Sequence, residues 1–501
     1  MNPFLATDGY KTGHQKMYPK GTTLVYSNFT PRSNKYAPKG CDKVVSFGQQ
    51  MVMKQIHDMF DHDFFLRDKV EVCKEIKDEY SLYLGCDFDV SHIERLHDVG
   101  HLPIHVKALP EGTLVPMGVP VLTIWNTDPD FYWIPNFLET IISNLLWKPM
   151  TSATIALQYK RLITERCLKT DPAAIDFVGF QGHDFSMRGM DSIDATIASG
   201  LGHATSFLGS DSLPVIYGAR KYYGELGPVV HSVNATEHSV MCAGGKVDEL
   251  ATFRHLMKQF PTGILSIVSD TWDLWHVLTV ILPQLKDEIN ARDGKIVIRP
   301  DSGDPVDIIC GRQTAEAQDS REWGKNMESE MKGVIELLAE TFGTTTNEQG
   351  YKVLNPKIGA IYGDSITLER AEAIFDRLEA KGFASTNVVL GIGSFTYQYN
   401  TRDTFGFAMK ATYVEINTPC TIYPDGTEMI EGREIFKDPI TDDGTKKSAK
   451  GLLSVQSNSG VYKLIDQCTW EEEDKGDLQD IYIDGVPKNI TSLTEVRQAL
   501  S

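Results

Sequence analysis

Arg299, Asp301 and the Ser302-Gly303 turn crowd together directly after three β-branched apolar residues, Ile296-Val297-Ile298. An arginine fork can hold a phosphate through paired hydrogen bonds, and a neighbouring carboxylate can take a hydroxyl, a metal or a ring nitrogen. Pro300 and Pro305 are expected to bar regular structure on either side of the turn, which places the group where a buried strand ends. In parallel α/β architectures ligands bind at the carboxyl ends of the strands. Taken alone, the stretch also fits a surface Arg–Asp pair in a tight turn. Its repetition along the chain is what argues for a site.

His238 stands beside Glu237 among small polar residues at another such tip. An imidazole suits proton transfer, and also acceptance of a phosphoryl group on nitrogen. With 13 histidines in the chain, position at a tip is what singles this one out. Asp270, at the next tip, can accept the other imidazole N–H and fix its tautomer, the alternative being a helix N-cap. Gly363-Asp364-Ser365 lies between a strand and a helical segment closing near Gly382. Backbone N–H groups there would form an anion site, with Asp364 suited to ribose hydroxyls. Gly391-Ile392-Gly393-Ser394, followed by Thr401-Arg402-Asp403, offers a second phosphate-binding turn, weak evidence by itself.

Arg188, Arg299 and Arg402, with Lys410, Lys437 and Lys446 downstream, imply a highly phosphorylated substrate, although such lysines also form solvated faces. Phe185 and Tyr10, aromatic residues in polar loops, can sandwich a flat ring. Phosphates, ribose hydroxyls and a flat ring together suggest a nucleotide-forming reaction. The chain has no GxxxxGK[ST], no complete GxGxxG after a strand, no HExxH and no GxSxG. P-loop, dinucleotide, metalloprotease and α/β-hydrolase chemistry are therefore disfavoured.

The elements that must position these groups follow from the apolar pattern. Strand-like runs ending in Gly, Asp, Arg or His recur from about residue 175: 175–180, 204–207, 228–233, 265–269, 296–298, 358–362 and 387–390. Helical patterns separate most of them, as at 368–378, so the region is expected to be a βα-barrel, with an open doubly wound sheet as the alternative. Before it lie a strand at 24–29, amphipathic helices between 51 and 83, strands at 104–109 and 121–124, and a long helical region from 137 to 168 with a break near Pro149. After residue 405 strands and turns return, and the chain closes on a short exposed helix from 491. Residues 311–332 read as a polar surface excursion. The expected division is a mixed α+β domain from residues 1–170 and 400–501, and a barrel domain over 171–399.

A chain of 501 residues can bury a large core, and 41% hydrophobic with 23% charged residues is ordinary for a globular protein. The net charge of −19 argues against nucleic acid or an anionic membrane as the main partner. No run of 18 apolar residues and no basic-then-apolar leader occurs, so a cytoplasmic location is expected. Eight scattered cysteines without a CxxC pair indicate neither a disulfide framework nor a zinc site.

The motifs Asp8-x-Tyr10-Lys11-x-x-His14, His183-Asp184-Phe185-x-x-Arg188-Gly189, Ala235-x-Glu237-His238-Ser239, Val268-Ser269-Asp270, Ile298-Arg299-Pro300-Asp301-Ser302-Gly303, Gly363-Asp364, Thr401-Arg402-Asp403 and Lys437-Asp438-Pro439 resemble, in order and over nearly the whole chain, the nicotinamide phosphoribosyltransferase family. The resemblance implies a type II phosphoribosyltransferase fold, an irregular α/β barrel plus a mixed domain from both chain ends. It also implies a head-to-tail homodimer with shared active sites. By the same resemblance Phe185 and a partner's Tyr10 would sandwich the pyridine, and Asp211 would accept from the carboxamide and repel nicotinate, with Ser232 adding a polar contact. Arg188, Arg299 and His238 would hold phosphate or pyrophosphate, Asp301 would lie near ring and ribose, and Gly363, Asp364 and Arg402 would hold ribose and 5′-phosphate. Arg32, Lys410, Lys437 and Lys446 would complete the phosphate cradle.

The implied reaction joins nicotinamide to 5-phosphoribosyl 1-pyrophosphate, with Mg²⁺ held through the pyrophosphate and no metal ligand from the protein. ATP would phosphorylate His238 as a coupling step, and Asp270 would orient the imidazole. Two alternatives stand beside it: a nicotinate-specific enzyme of the same fold, and a catalytically silent binding or signalling protein on the same scaffold. The turn Gly391-Ile392-Gly393-Ser394-Phe395 has fewer consecutive glycines than the family pattern, so Ser394 is the weaker carry-over. Extensions at 311–332 and 417–432 resemble a bacterial or phage-type member.

Overall fold

The computed structural model describes residues 1–313, 326–363, 365–419, 428–437 and 449–501. The chain forms two compact units, one of residues 1–154, 219–225 and 400–501, the other of residues 155–218 and 226–399.

The first unit is built on a seven-stranded antiparallel sheet. Its order is Glu428–Glu434, Ala408–Pro419, Thr22–Thr30, Leu122–Asn126, Ile104–Ala108, Gln479–Ile483 and Val486–Pro487. Three strands from the N-terminal part of the chain therefore form the centre of this sheet, flanked on each side by two from the C-terminal part. The expected strands at 24–29, 104–109, 121–124 and 411–416 all lie in it, and the helices Gln49–Phe60 and Lys69–Leu84 occupy most of 51–83. The second helix shows how local sequence sets its limits. Asp68 accepts from the N–H of Glu71, Gly85 ends the helix with left-handed backbone, and Val72, Cys73, Ile76 and Tyr80 bury one stripe. The terminal helix Leu493–Ala499 is less exposed than expected, because Leu493 and Val496 are fully buried.

Lys107 is the unusual residue of this sheet. Its ammonium meets Glu473 at 2.9 Å and Asp474 at 3.1 Å, and Lys107 and Glu473 are both buried. The Tyr26 hydroxyl donates to Glu473 at 3.3 Å, so the carboxylate is served from two sides.

The second unit carries a seven-stranded sheet whose pairings are all parallel. Its order runs Asn234–Ala235, Thr262–Val268, Asp293–Arg299, Ile358–Tyr362, Val388–Ile392, Gly182–Asp184 and Gly209–Ser210. The third to seventh strands of the chain follow one another in sequence, and the seventh then pairs with the first. That is the winding of a βα-barrel left open between the second and third strands, although His231 bridges to Gly209 across that interval.

Three expected strands are displaced. Residues 175–180 are helical, in Pro172–Phe177 and Val178–Gln181, because Pro172 starts a tight helical turn and the buried Gln181 amide donates to the carbonyls of Ser385 and Val388. The strand starts only at Gly182. Ala204 ends the helix Ile193–Ala204, and the strand follows at Gly209. From 228–233 the ladder keeps only the His231 bridge, before Asn234–Ala235. Helix Ile134–Thr170 runs through Pro149 without the expected break. Its flanks Leu146, Met150 and Ala153 are fully buried, so packing holds the turn where proline removes a hydrogen bond. Pro305 likewise does not bar regular structure: it opens the helix Pro305–Cys310, with Asp304 as N-cap.

Replacing Lys107 by Met should leave the Glu473 carboxylate buried without its counter-charge and lower unfolding stability by about 3–5 kcal/mol in urea titrations. Adding Glu473→Gln to that variant should restore part of the loss, and no recovery would show that the pair is not the source.

Candidate active site

Alternation along the Asp293–Arg299 strand divides its side chains. Ile296 and Ile298 are buried in the barrel core, whereas Lys295, Val297 and Arg299 line a cavity of about 340 Å³. Phe185, Asp211, Ser232 and Ser266 line the same cavity. The Arg299 Nε and Nη2 donate to the two carboxylate oxygens of Asp301 at 3.1 and 3.2 Å, and its guanidinium lies 4.9 Å from the centre of the Phe185 ring. Gly363 makes this pairing possible. A Cβ there would sit 2.0 Å from an Asp301 carboxylate oxygen and 2.8 Å from Arg299 Nε.

The turn after Arg299 is tied to the next tip. The N–H groups of Asp301 and Ser302 donate to one oxygen of Asp270 at 2.9 and 2.7 Å, while the other oxygen meets His238 Nε2 at 3.2 Å. Asp270 is nearly buried and His238 is half exposed. The helix Leu274–His276 is capped by Asp273 instead, which leaves Asp270 as the imidazole partner rather than an N-cap.

Asp211 gathers a second cluster. Its carboxylate meets His183 Nε2 at 2.9 Å and accepts from the Ser232 hydroxyl. Burial pushes its carboxyl upward, but hydrogen bonds from His183 and Ser232, with the charges of His183 and Arg299, outweigh burial and leave it below the ordinary range. The His183 and Phe185 rings lie 4.6 Å apart, so one short strand end supplies both the aromatic face and the carboxylate's partner. Arg188 is exposed on the turn Met187–Gly189, and Ser394 packs against Gly189 at the start of the helix Ser394–Gln398. Asp364 lies outside the described residues.

The remaining predicted residues belong to the first unit. Tyr10 is largely exposed, with Lys11 Nζ 5.5 Å from its ring centre. Arg32 donates to the carbonyl of Gly406 at 3.0 Å, Arg402 is exposed beside Asp403, and Lys437 is exposed. Lys410 reaches within 3.8 Å of Glu139. Burial and the neighbouring cations Arg32, Lys437 and Lys11 pull its ammonium below the ordinary lysine value, whereas Glu139 acts the other way. These cations form one basic cluster. Lys446 lies outside the described residues. Among the described residues no group of His, Cys, Asp and Glu is arranged to hold a metal ion, and no helix is long and apolar enough to cross a membrane.

Sequence reasoning missed three side chains of the barrel cavity. His183 stands in a recognised motif without a role attached. Lys295 precedes Arg299 by four residues on the same strand face, a spacing that alternation alone could have exposed. The Ser266 hydroxyl is buried and, among the described residues, has no hydrogen-bond partner.

The parallel barrel with arginine, aspartate and histidine at its strand tips has a fold similar to that of type II phosphoribosyltransferase structures. The Nicotinate phosphoribosyltransferase (NAPRTase) family model matches residues 180–467, and the Nicotinamide phosphoribosyltransferase N-terminal domain model matches residues 2–106. A nicotinamide phosphoribosyltransferase of Acinetobacter baylyi is 48% identical over 513 aligned positions, covering 100% of this chain and 97% of the relative. One from Xanthomonas campestris is 32% identical, with 99% and 97% covered. The chain belongs to the nicotinate phosphoribosyltransferase family. Two solved structures share the fold with a TM-score of 0.53: human nicotinic acid phosphoribosyltransferase, at 16% identity with 99% of this chain and 93% of that one covered, and the nicotinate-nucleotide pyrophosphorylase of Pyrococcus furiosus, at 15% with 100% and 94% covered.

Lys295 yields a prediction about stability. Burial pulls its ammonium below the ordinary value of 10.5, and among the described residues it has no carboxylate partner. A lysine depressed in the folded state binds fewer protons there than when unfolded, so it weakens folding at neutral pH and stops doing so above 10.5. Lys295→Met should therefore raise the stability at neutral pH by about 1 kcal/mol, the scale for an unpaired buried polar group. The gain should shrink in alkaline urea titrations, and a gain independent of pH would mean that the lysine is solvated.

Proposed function

We propose that the protein transfers the phosphoribosyl group of 5-phosphoribosyl 1-pyrophosphate, as its magnesium complex, to nicotinamide, giving nicotinamide mononucleotide and pyrophosphate in NAD salvage. The observation that carries the choice of base is the ionised Asp211 in the barrel cavity, held by His183 and Ser232 beside Phe185. A carboxylate accepts a hydrogen bond from a carboxamide NH₂ and repels the carboxylate of nicotinate. The names of the relatives from Acinetobacter and Xanthomonas support the same choice.

In this reading the pyridine lies on the Phe185 face, where the Arg299 guanidinium now stacks, so ring binding displaces Arg299 toward phosphate. The ring nitrogen attacks C1 as pyrophosphate leaves, and an oxocarbenium-like transition state makes positioning and charge the main contributions. The basic cluster of Arg32, Lys410 and Lys437 suits the 5′-phosphate or pyrophosphate, and Arg188 and Arg402 suit the same charges. Asp270 accepts from His238 at one nitrogen, which leaves the other free to take the γ-phosphoryl group of ATP, with ADP leaving. The phosphoimidazole then favours product formation when it is hydrolysed. A homodimer in which Tyr10 of the partner subunit covers the second face of the ring completes the proposal.

Incubating the protein with 5-phosphoribosyl 1-pyrophosphate and either base, with and without ATP, tests the whole reading. Nicotinamide mononucleotide should form and nicotinate mononucleotide should not. Use of nicotinate alone would overturn the role of Asp211. Asp211→Ser should reduce the preference for the amide by about a hundredfold. His238→Ala should keep basal transfer but abolish stimulation by ATP, and stimulation that survives would rule out phosphorylation at that residue.

A further inference from the structure

The first unit contains a cavity of about 440 Å³, larger than the one at Arg299, which the proposed reaction does not use. Its walls come from three regions of the unit: the helix Gln49–Phe60, the segment 108–111 together with residues 220–224, and the C-terminal stretch 479–491. Gln50 fixes them together. Its amide nitrogen donates to the carbonyls of Tyr222 and Thr491 at 2.7 and 3.0 Å, and its amide oxygen accepts from Thr491 N–H at 2.8 Å. The cavity is thus preformed rather than dependent on a ligand.

Much of the wall is apolar, from Met53, Leu109, Ile481 and Ile490, yet Lys54, Arg220, Lys221 and Lys488 also line it. Lys221 pairs with Asp58 at 3.0 Å. Lys54 donates only to a carbonyl, that of Lys221, and among the described residues Lys54, Arg220 and Lys488 form no ion pair. The one acid in the wall, Glu111, is already occupied: it accepts from the N–H groups of Gly48 and Gln50 and from the Tyr223 hydroxyl. Burial also pushes its carboxyl up to about 7, so at neutral pH it offsets only part of the positive charge. Lys54, Arg220 and Lys488 are solvent-exposed at the rim of this cavity and, among the described residues, carry no counter-charge, and in a chain of net charge −19 such a concentration is local. The volume lies within the usual range for small-molecule sites of roughly 300–1,000 Å³.

We propose that this cavity is a second ligand site, separate from the barrel cavity, for a small anion with a phosphate or carboxylate head and a flat apolar body of about mononucleotide size. The head would meet Arg220 and Lys488, and the body would lie against Met53, Leu109 and Ile481.

Titration calorimetry on the full-length protein with 1-naphthyl phosphate, 1-naphthol and inorganic phosphate tests this. Naphthyl phosphate should bind more tightly than either fragment. The double variant Arg220→Gln, Lys488→Gln should weaken it about tenfold or more, the scale for losing charge-assisted contacts. Its kcat/KM for nicotinamide should stay unchanged, which also reports that the variant folds. Equal affinity for naphthol, equal affinity for inorganic phosphate, or undiminished binding in the double variant would each overturn the proposal.

Discussion

One carboxylate holds the candidate active site together. Asp270 gives one oxygen to the backbone N–H groups that follow Arg299 and the other to His238. Two strand tips are thereby fixed against each other by a group that is nearly buried. Because the donors are backbone N–H groups, this oxygen is held in place by any residue other than proline at positions 301 and 302. The Arg299–Asp301 pair and the imidazole then share a single mechanical reference, and movement at one is felt at the other.

The barrel explains why such a reference is available. Strands Thr262–Val268 and Asp293–Arg299 pair over seven positions, so their ends are level and their loops meet. The strands next to Phe185, Asp211 and Ser232 are much shorter, and these side chains are linked by a local network instead of a long ladder: Asp211 meets His183 and accepts from Ser232, and the His183 ring lies against Phe185. Rigidity on one side and a small polar network on the other suit a site where a charged leaving group needs fixed partners and a flat base must enter and leave.

What the chain made legible before folding was the chemistry at the tips and the class of architecture. The strongest strand, 296–298, sits where its β-branched residues placed it, and the alternation of Arg, Asp and His with apolar runs pointed to parallel strands. The displaced strands have a common cause. At 175–180, 204–207 and 228–233 helices and loops bury Val178, Ala204, Phe207, Val229 and Val230, while the backbone pairing shifts to Gly182–Asp184, Gly209–Ser210 and Asn234–Ala235, which have little strand propensity of their own. Glycine there is required by proximity: a Cβ on Gly182 would lie 2.7 Å from the Phe207 ring, and one on Gly209 would lie 2.7 Å from His183. Partner choice is equally invisible to local pattern. Nothing around Lys107 announces Glu473, 366 residues away.

The antiparallel sheet of the first unit has a consequence for the order of synthesis. Thr22–Thr30 pairs with Ala408–Pro419, and Ile104–Ala108 pairs with Gln479–Ile483, so early strands wait for late ones. At roughly 5–20 residues per second, a ribosome leaves the first strand without that neighbour for on the order of tens of seconds. The whole parallel barrel is made in that interval, from residues 155–218 and 226–399. During it the nascent chain carries a finished or finishing barrel and an open β-edge, a surface on which a strand of another chain can pair.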